Sequence, residues 1–162
     1  MSESVTVPPE EVVEEAPRVP TRRLLAFEVG GSVLACDMDS FREIVPAQRT
    51  TRLPGAPDTV CGLINLRGTI VTVIDGGIAL GIQPCERTSG LVLLVEHFER
   101  LIGIGVDDVR DIHDVPIDQF MSAAPQESIP EGIVTGVVEI EGRNVLVLDM
   151  KALVQQVIGQ GR

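Results

Sequence analysis

Three thiols and two imidazoles, Cys36, Cys61, Cys85, His97 and His113, are the sharpest candidates for covalent chemistry in this chain. A cysteine hydrolase needs a thiolate within reach of an imidazole that a third group orients. Cys36 lies in an apolar run that reads as a core strand, where cysteine behaves as a small hydrophobe. His97 falls at a hairpin turn and His113 in an acidic stretch, neither with a partner at useful spacing. A thiol paired with His113 remains the residual enzyme reading. The cysteines are odd in number and widely spaced, which fits reduced thiols rather than a disulfide framework.

A cation site would draw on Asp107, Asp108, Asp111, Asp114 and Asp118. Counted from Asp107 as a calcium loop, however, Val109 stands where a ligand belongs and Ile112 where the turn glycine belongs. The acids read instead as the solvated face of a strand running into an acidic loop. The pairs Gly30-Gly31 and Gly76-Gly77 lack the lysine or third glycine that phosphate and dinucleotide loops need, so they are turns. No metal, cofactor or catalytic residue is expected.

A different kind of chemistry, recognition, attaches to Asn65-Leu66-Arg67-Gly68. These residues sit between two β-branched runs, so they mark the turn of a hairpin. Gly68 answers a backbone need for positive φ. Arg67 is either an ordinary solvated turn residue or a bidentate partner for a carboxylate.

The scaffold that positions this turn reads as mainly β. Of 162 residues, 44% are apolar and only four are aromatic, all Phe, so Val, Ile, Leu and Ala must build the core. The net charge of −11 argues against nucleic acid, which demands clustered bases. No apolar run approaches the ~20 residues that span a bilayer, and the acidic start lacks the features of a secretion signal, so a cytoplasmic location is expected. Residues 1–21, rich in Pro and Glu, read as a disordered tail ahead of one domain over residues 22–162.

Hairpins are predicted at Leu24–Val29 with Ser32–Cys36, at Leu63–Leu66 with Thr69–Ile74, at Leu91–Val95 with Arg100–Val106, and at Val134–Ile140 with Arg143–Leu148. Met38–Val45 reads as extended chain, Asp58–Cys61 as one helical turn, and residues 114–131 as a long connection. Asp149 is a good cap for a helix over Met150–Ile158, with Gly159 as its stop. The pattern repeats: Gly62–Asp75 aligns with Gly136–Asp149 at an offset of 74, and Glu28, Asp39 and Arg42-Glu43-Ile44 align with Glu96, Asp107 and Arg110-Asp111-Ile112 at 68. Chance alignment of valine-rich strands is the competing account. Two similar β lobes follow from duplication, with a boundary near residues 82–90.

With Gly62 to Asp75 in view, the chain resembles the CheW family, the adaptors of bacterial chemosensory arrays. The likeness extends to Phe41-Arg42-Glu43-Ile44, Leu53-Pro54 with Ala56-Pro57, Gly103–Val109 and Gly136–Leu153, covering residues 22–158. It implies two SH3-like five-stranded β-barrel subdomains with a C-terminal helix, and no catalysis. It also implies partners: the regulatory domain of a CheA-type histidine kinase, and the cytoplasmic tips of methyl-accepting chemoreceptors at the inner face of the membrane, in a chemotaxis or type IV pilus-like array. Carried over by position, the protein-binding residues are Phe41, Glu43, Ile44, Gly62, Asn65, Arg67, Gly68, Val106 and Asp107. Among these carried-over positions Glu43 and Arg67 are expected to pair across neighbouring strands and hold the groove's edge, and Phe41 and Ile44 are either core or grip. Gly76-Gly77 departs from the family's Leu-Arg and is expected to loosen that segment. A stand-alone regulatory or ligand-sensing barrel outside any array is the alternative.

Overall fold

The computed structural model describes residues 19–85 and 90–160. The first 18 residues of the expected tail lie outside them, as do residues 86–89 within the expected lobe boundary. In chain order the elements are β1 (Thr21–Val29), β2 (Ser32–Asp37), β3 (Glu43–Pro46), β4 (Val60–Leu66) and β5 (Thr69–Asp75). There follow α1 (Gly76–Ala79), β6 (Leu91–His97), β7 (Arg100–Val106), β8 (Asp108–Pro116), β9 (Val134–Ile140), β10 (Arg143–Leu148) and α2 (Met150–Gln160). Short 3-10 turns occupy Met38–Ser40 and Ile117–Gln119.

All four predicted hairpins form. Each turns over two residues with positive φ: Gly30-Gly31, Arg67-Gly68, Phe98-Glu99 and Glu141-Gly142. This backbone twist matches that of the flanking strands. The sequence reading gave residues 114–131 to a connection, whereas β8 runs on through Pro116 with charged residues along it. An edge strand tolerates both, since neither faces a second neighbour. Asp58-Thr59 is a plain turn rather than a helical one, and α2 runs through Gly159.

Two five-stranded sheets result, in the orders β8-β1-β2-β10-β9 and β3-β6-β7-β5-β4. Matching β1, β2, β8, β9 and β10 to β6, β7, β3, β4 and β5 makes the orders and senses identical. Even register agrees: Leu34 lies opposite Leu146 and, at the repeat's offsets, Ile102 lies opposite Thr72. The duplication read in the sequence is therefore present in the fold.

The expected lobe boundary at residues 82–90 is not where the sheets divide. The chain crosses from one sheet to the other after β2 and again after β7, so residues 43–106 build the second sheet and the flanking strands build the first. Each repeat lends its leading hairpin to the other's sheet. Two ion pairs mark the exchange: Arg110 to Glu28 at 2.8 Å and its repeat counterpart, Arg42 to Glu96 at 3.5 Å.

The physical reason lies in hairpins that are apolar on both faces. In β1, Leu24 points into a cluster inside the first sheet with Ala35, Val138 and Val147, while Leu25 and Phe27 point into a central cluster. In β6, Val92 and Leu94 join a cluster inside the second sheet, and Leu93 and Val95 join the central one. Near-continuous runs such as Leu91–Val95 are what double-sided burial requires. Leu153 and Val154 of α2 complete the central cluster. Neither sheet closes by a ladder of strand pairs: a single backbone bridge, Thr51 with Leu63 in the second sheet and Met121 with Val137 in the first, joins the edges, and each SH3-like barrel keeps a seam beside it.

Candidate protein-binding site

The seam of the second sheet runs between β3 and the β4–β5 hairpin. Asn65 shapes that hairpin's turn, its Oδ1 accepting a hydrogen bond from the Gly68 amide at 2.9 Å. The turn holds Arg67 at φ 49° and Gly68 at φ 88°. The left-handed conformation suits glycine and strains arginine. So held, Arg67 donates from Nη2 to Glu43 Oε1 at 2.6 Å. The pair forms as expected, but between strands at opposite edges of the sheet rather than neighbouring ones. It closes the barrel where no ladder does. The Arg67 guanidinium bonded to Glu43 holds that carboxyl below the usual range, and the Arg67 pKa rises in return.

Phe41 and Ile44 flank Glu43 and are half-buried, leaning on the central cluster while part of each side chain faces solvent. Core and grip were posed as alternatives, and this placement leaves room for both. Six of the nine positions therefore gather on two facing elements: Phe41, Glu43 and Ile44 on one side, Asn65, Arg67 and Gly68 on the other.

The other three are placed differently. Gly62 is buried at a bulge in β4, where an added Cβ would stand 2.4 Å from the Thr51 carbonyl oxygen. Val106 is 1% exposed inside the central cluster. Asp107 accepts a hydrogen bond from the Gly30 amide at 2.6 Å, while its own amide donates to the Glu28 carbonyl at 2.9 Å. It ties the crossover after β7 to the β1–β2 turn. Of these three only Gly62 lies on a strand that borders the seam.

Two exposed apolar residues escaped the sequence reading. Ile70, 60% exposed, lies two residues beyond the turn glycine, and Phe98, 83% exposed, tips the β6–β7 hairpin with φ 47°. A signal for Phe98 existed. The repeat sets Phe98-Glu99 where the first copy has Gly30-Gly31, so bulky residues occupy a turn that favours glycine.

Gly76-Gly77 does not loosen its segment. Both are buried, and a Cβ would stand 2.5 Å from the Gly105 carbonyl oxygen at Gly76 and 1.8 Å from that of Gln83 at Gly77. The missing side chains let residues 82–85 lie on the start of α1, where the Cys85 amide reaches the buried Asp75 carboxylate at 3.1 Å. Cys36, Cys61 and Cys85 are all buried and unbridged. Burial pushes the Cys36 thiol up to about 12, and burial beside the Asp75 charge does the same for Cys85. Thiols so held stay protonated near neutrality.

Two interleaved SH3-like sheets, one with its seam locked by an ion pair beside half-buried apolar side chains, define a scaffold of the paired-barrel type. The family profile of the CheW-like domain matches residues 23–157. The probable chemotaxis protein CheW of Rhizobium etli is 31% identical over 135 residues, 82% of this chain and 86% of that protein. The protein PilI of Pseudomonas aeruginosa is 31% identical over 103 residues, 62% of this chain and 57% of its own. The scaffolding protein TtCheW of Thermoanaerobacter tengcongensis shares the fold, with a TM-score of 0.74 at 22% identity over 82% of this chain and 92% of that one. The chain belongs to the CheW family, the coupling adaptors of chemosensory arrays.

Proposed function

We propose that this protein couples chemoreceptor tips to a CheA-type histidine kinase by binding alone, and that the seam between β3 and the β4–β5 hairpin is the receptor-facing part of it. The Glu43–Arg67 ion pair carries the reading. It fixes an exposed guanidinium and an exposed carboxylate beside Phe41 and Ile44. An amphipathic helix offers complementary features, an apolar stripe flanked by charges. Gly62 lets β4 pass close to Thr51 at the edge of this surface. The burial of all three thiols, with the pKa values of Cys36 and Cys85 raised, supports a role without catalysis. Among the described residues no helix is long and apolar enough to cross a membrane, so array attachment falls to the partners.

The test is direct binding of the full chain to the regulatory domain of a CheA-type kinase and to soluble receptor tips, by calorimetry. A complex with both is expected. Substituting Phe41→Ser should weaken the receptor complex by about tenfold, the loss of one apolar anchor, and leave kinase binding in place. Failure to bind either partner at tens of micromolar would sink the proposal.

A further inference from the structure

The duplication provides an internal comparison between the two seams. In the second sheet Glu43 faces Arg67. At the repeat's offsets their counterparts in the first sheet are Asp111 on β8 and Glu141 at the β9–β10 turn. Glu141 even keeps Arg67's left-handed backbone, at φ 53°. An acid therefore stands where the guanidinium would be, and both acids line one cleft, Asp111 at a bulge of β8 that β3 lacks. Among the described residues neither Asp111 nor Glu141 enters an ion pair.

The wall behind them is hollowed in the same comparison. Leu94, Leu101 and Val45 pack against the second sheet's cluster, and their counterparts in the first sheet are Ala26, Val33 and His113. Smaller and more polar side chains leave a cleft of about 500 Å³, into which Glu28, Arg110, Arg143, Asp111 and Glu141 also face. Arg110 is bonded to Glu28 at 2.8 Å, and its charge, shared with Glu28, Glu141 and Asp108, offsets the outer pair only in part. With Asp108 on the rim, four carboxylates face two arginines, and the cleft carries an excess of negative charge.

We propose that the open seam of the first sheet, between Asp111 and Glu141, docks an arginine or lysine side chain presented on a tight turn of a partner protein. The chemistry is that of the second seam, with the cation supplied from outside. Arginine suits it best, because a planar fork can bond two carboxylates at once. A metal ion is a poorer occupant, since no three His, Cys, Asp or Glu side chains among the described residues are placed to hold one. Nucleic acid and anionic lipid surfaces are repelled by the same charge. The inference holds whether or not the second seam receives a receptor.

The probe is a backbone-cyclised hairpin carrying residues 63–72 of this chain, with its Arg67→Ala copy as control, titrated into the isotope-labelled full protein. Amide shifts confined to residues 108–113 and 139–145, with a dissociation constant of about 1 mM or tighter, are expected from the arginine hairpin alone. Both Glu141→Arg and the conservative pair Asp111→Asn/Glu141→Gln should weaken it by at least about tenfold. The conservative pair decides between the outcomes if Glu141→Arg fails to fold. Equal binding of the alanine hairpin, unchanged binding by a folded variant, or no shifts with the arginine hairpin would each overturn the proposal. So would spermidine binding as tightly as the hairpin, which would make the cleft a small-cation site.

Discussion

Glu43 and Arg67 give the most direct test available at a single residue. Their bond lowers the Glu43 pKa, so the link contributes to stability above the unfolded carboxyl pKa of about 4.3 and is lost as pH falls through the lower folded value. A carbon-detected titration of Glu43 should therefore find a midpoint below that of an ordinary glutamate. Arg67→Ala should return it to the ordinary range, and a midpoint unmoved by that change would mean that the pair does not persist in solution. Phe98 makes the opposite case, a residue whose fold would improve without it. Glycine suits the left-handed turn, so Phe98→Gly should raise stability by about 1 kcal/mol in urea unfolding. Such a gain, with Phe98 83% exposed, would leave a surface role as the reason for the aromatic ring. Gly68→Ala at φ 88° should cost about the same amount, although nothing stands within 4 Å of the added carbon. Conformation rather than space would set that penalty.

Between strand and helix, the aspartates that close the second hairpin of each repeat do different amounts of stabilising. Asp75 is fully buried and accepts from the amides of Gly77 at 2.8 Å, Ile78 at 3.1 Å and Cys85 at 3.1 Å. Its counterpart Asp149 is partly exposed, and its side chain accepts from Ala152 at 3.0 Å. Removing the first strands three amides where water cannot replace the carboxylate, while removing the second is an ordinary cap loss. Asp75→Ala should cost about 3 kcal/mol or more and Asp149→Ala about 1 kcal/mol, measured by chemical denaturation. Equal losses would show that the Asp75 network is dispensable. The hairpins were legible from sequence because apolar alternation and turn residues report local geometry, and the match of Asp75 with Asp149 was visible for the same reason. The burial that separates the two was not, because it depends on residues 82–85 folding back over Gly76 and Gly77. The end of edge strand β8, from Asp114 to Pro116, was obscured because its charge and proline are the features that keep an edge from pairing further. In the candidate site, the glutamate–arginine pair was legible as an opposite-charge match beside a turn. That it spans two sheet edges was not, since no local pattern encodes which edges meet.

For the molecule as a whole, the exchange of hairpins has a thermodynamic consequence. The first repeat alone would hold β1 and β2 without β8, β9 or β10, and β3, β4 and β5 without β6 or β7. Neither set can cover both faces of its strands, because Leu25, Phe27, Leu93 and Val95 all need the same central cluster. Each of those side chains is worth about 1.5–3 kcal/mol when fully buried, and that is lost together if the repeats separate. Unfolding of the intact chain should accordingly be a single transition, with the same midpoint by circular dichroism and by the exposure of Cys36 and Cys61 to a thiol reagent. Two fragments, residues 1–85 and 90–162, should each be unfolded alone and should regain the full chain's spectrum when mixed in equal amounts. Ordered β structure in either fragment by itself would mean that a repeat can complete its own sheet. The crossings after β2 and β7 would then be incidental to stability. Reassembly would instead show that the covalent link between repeats is replaceable while the exchanged hairpins are not. On that outcome the two seams, one sealed from within by Arg67 and the other open at Glu141, belong to one cooperative body, and a cation docked at the open one stabilises the strands that carry both.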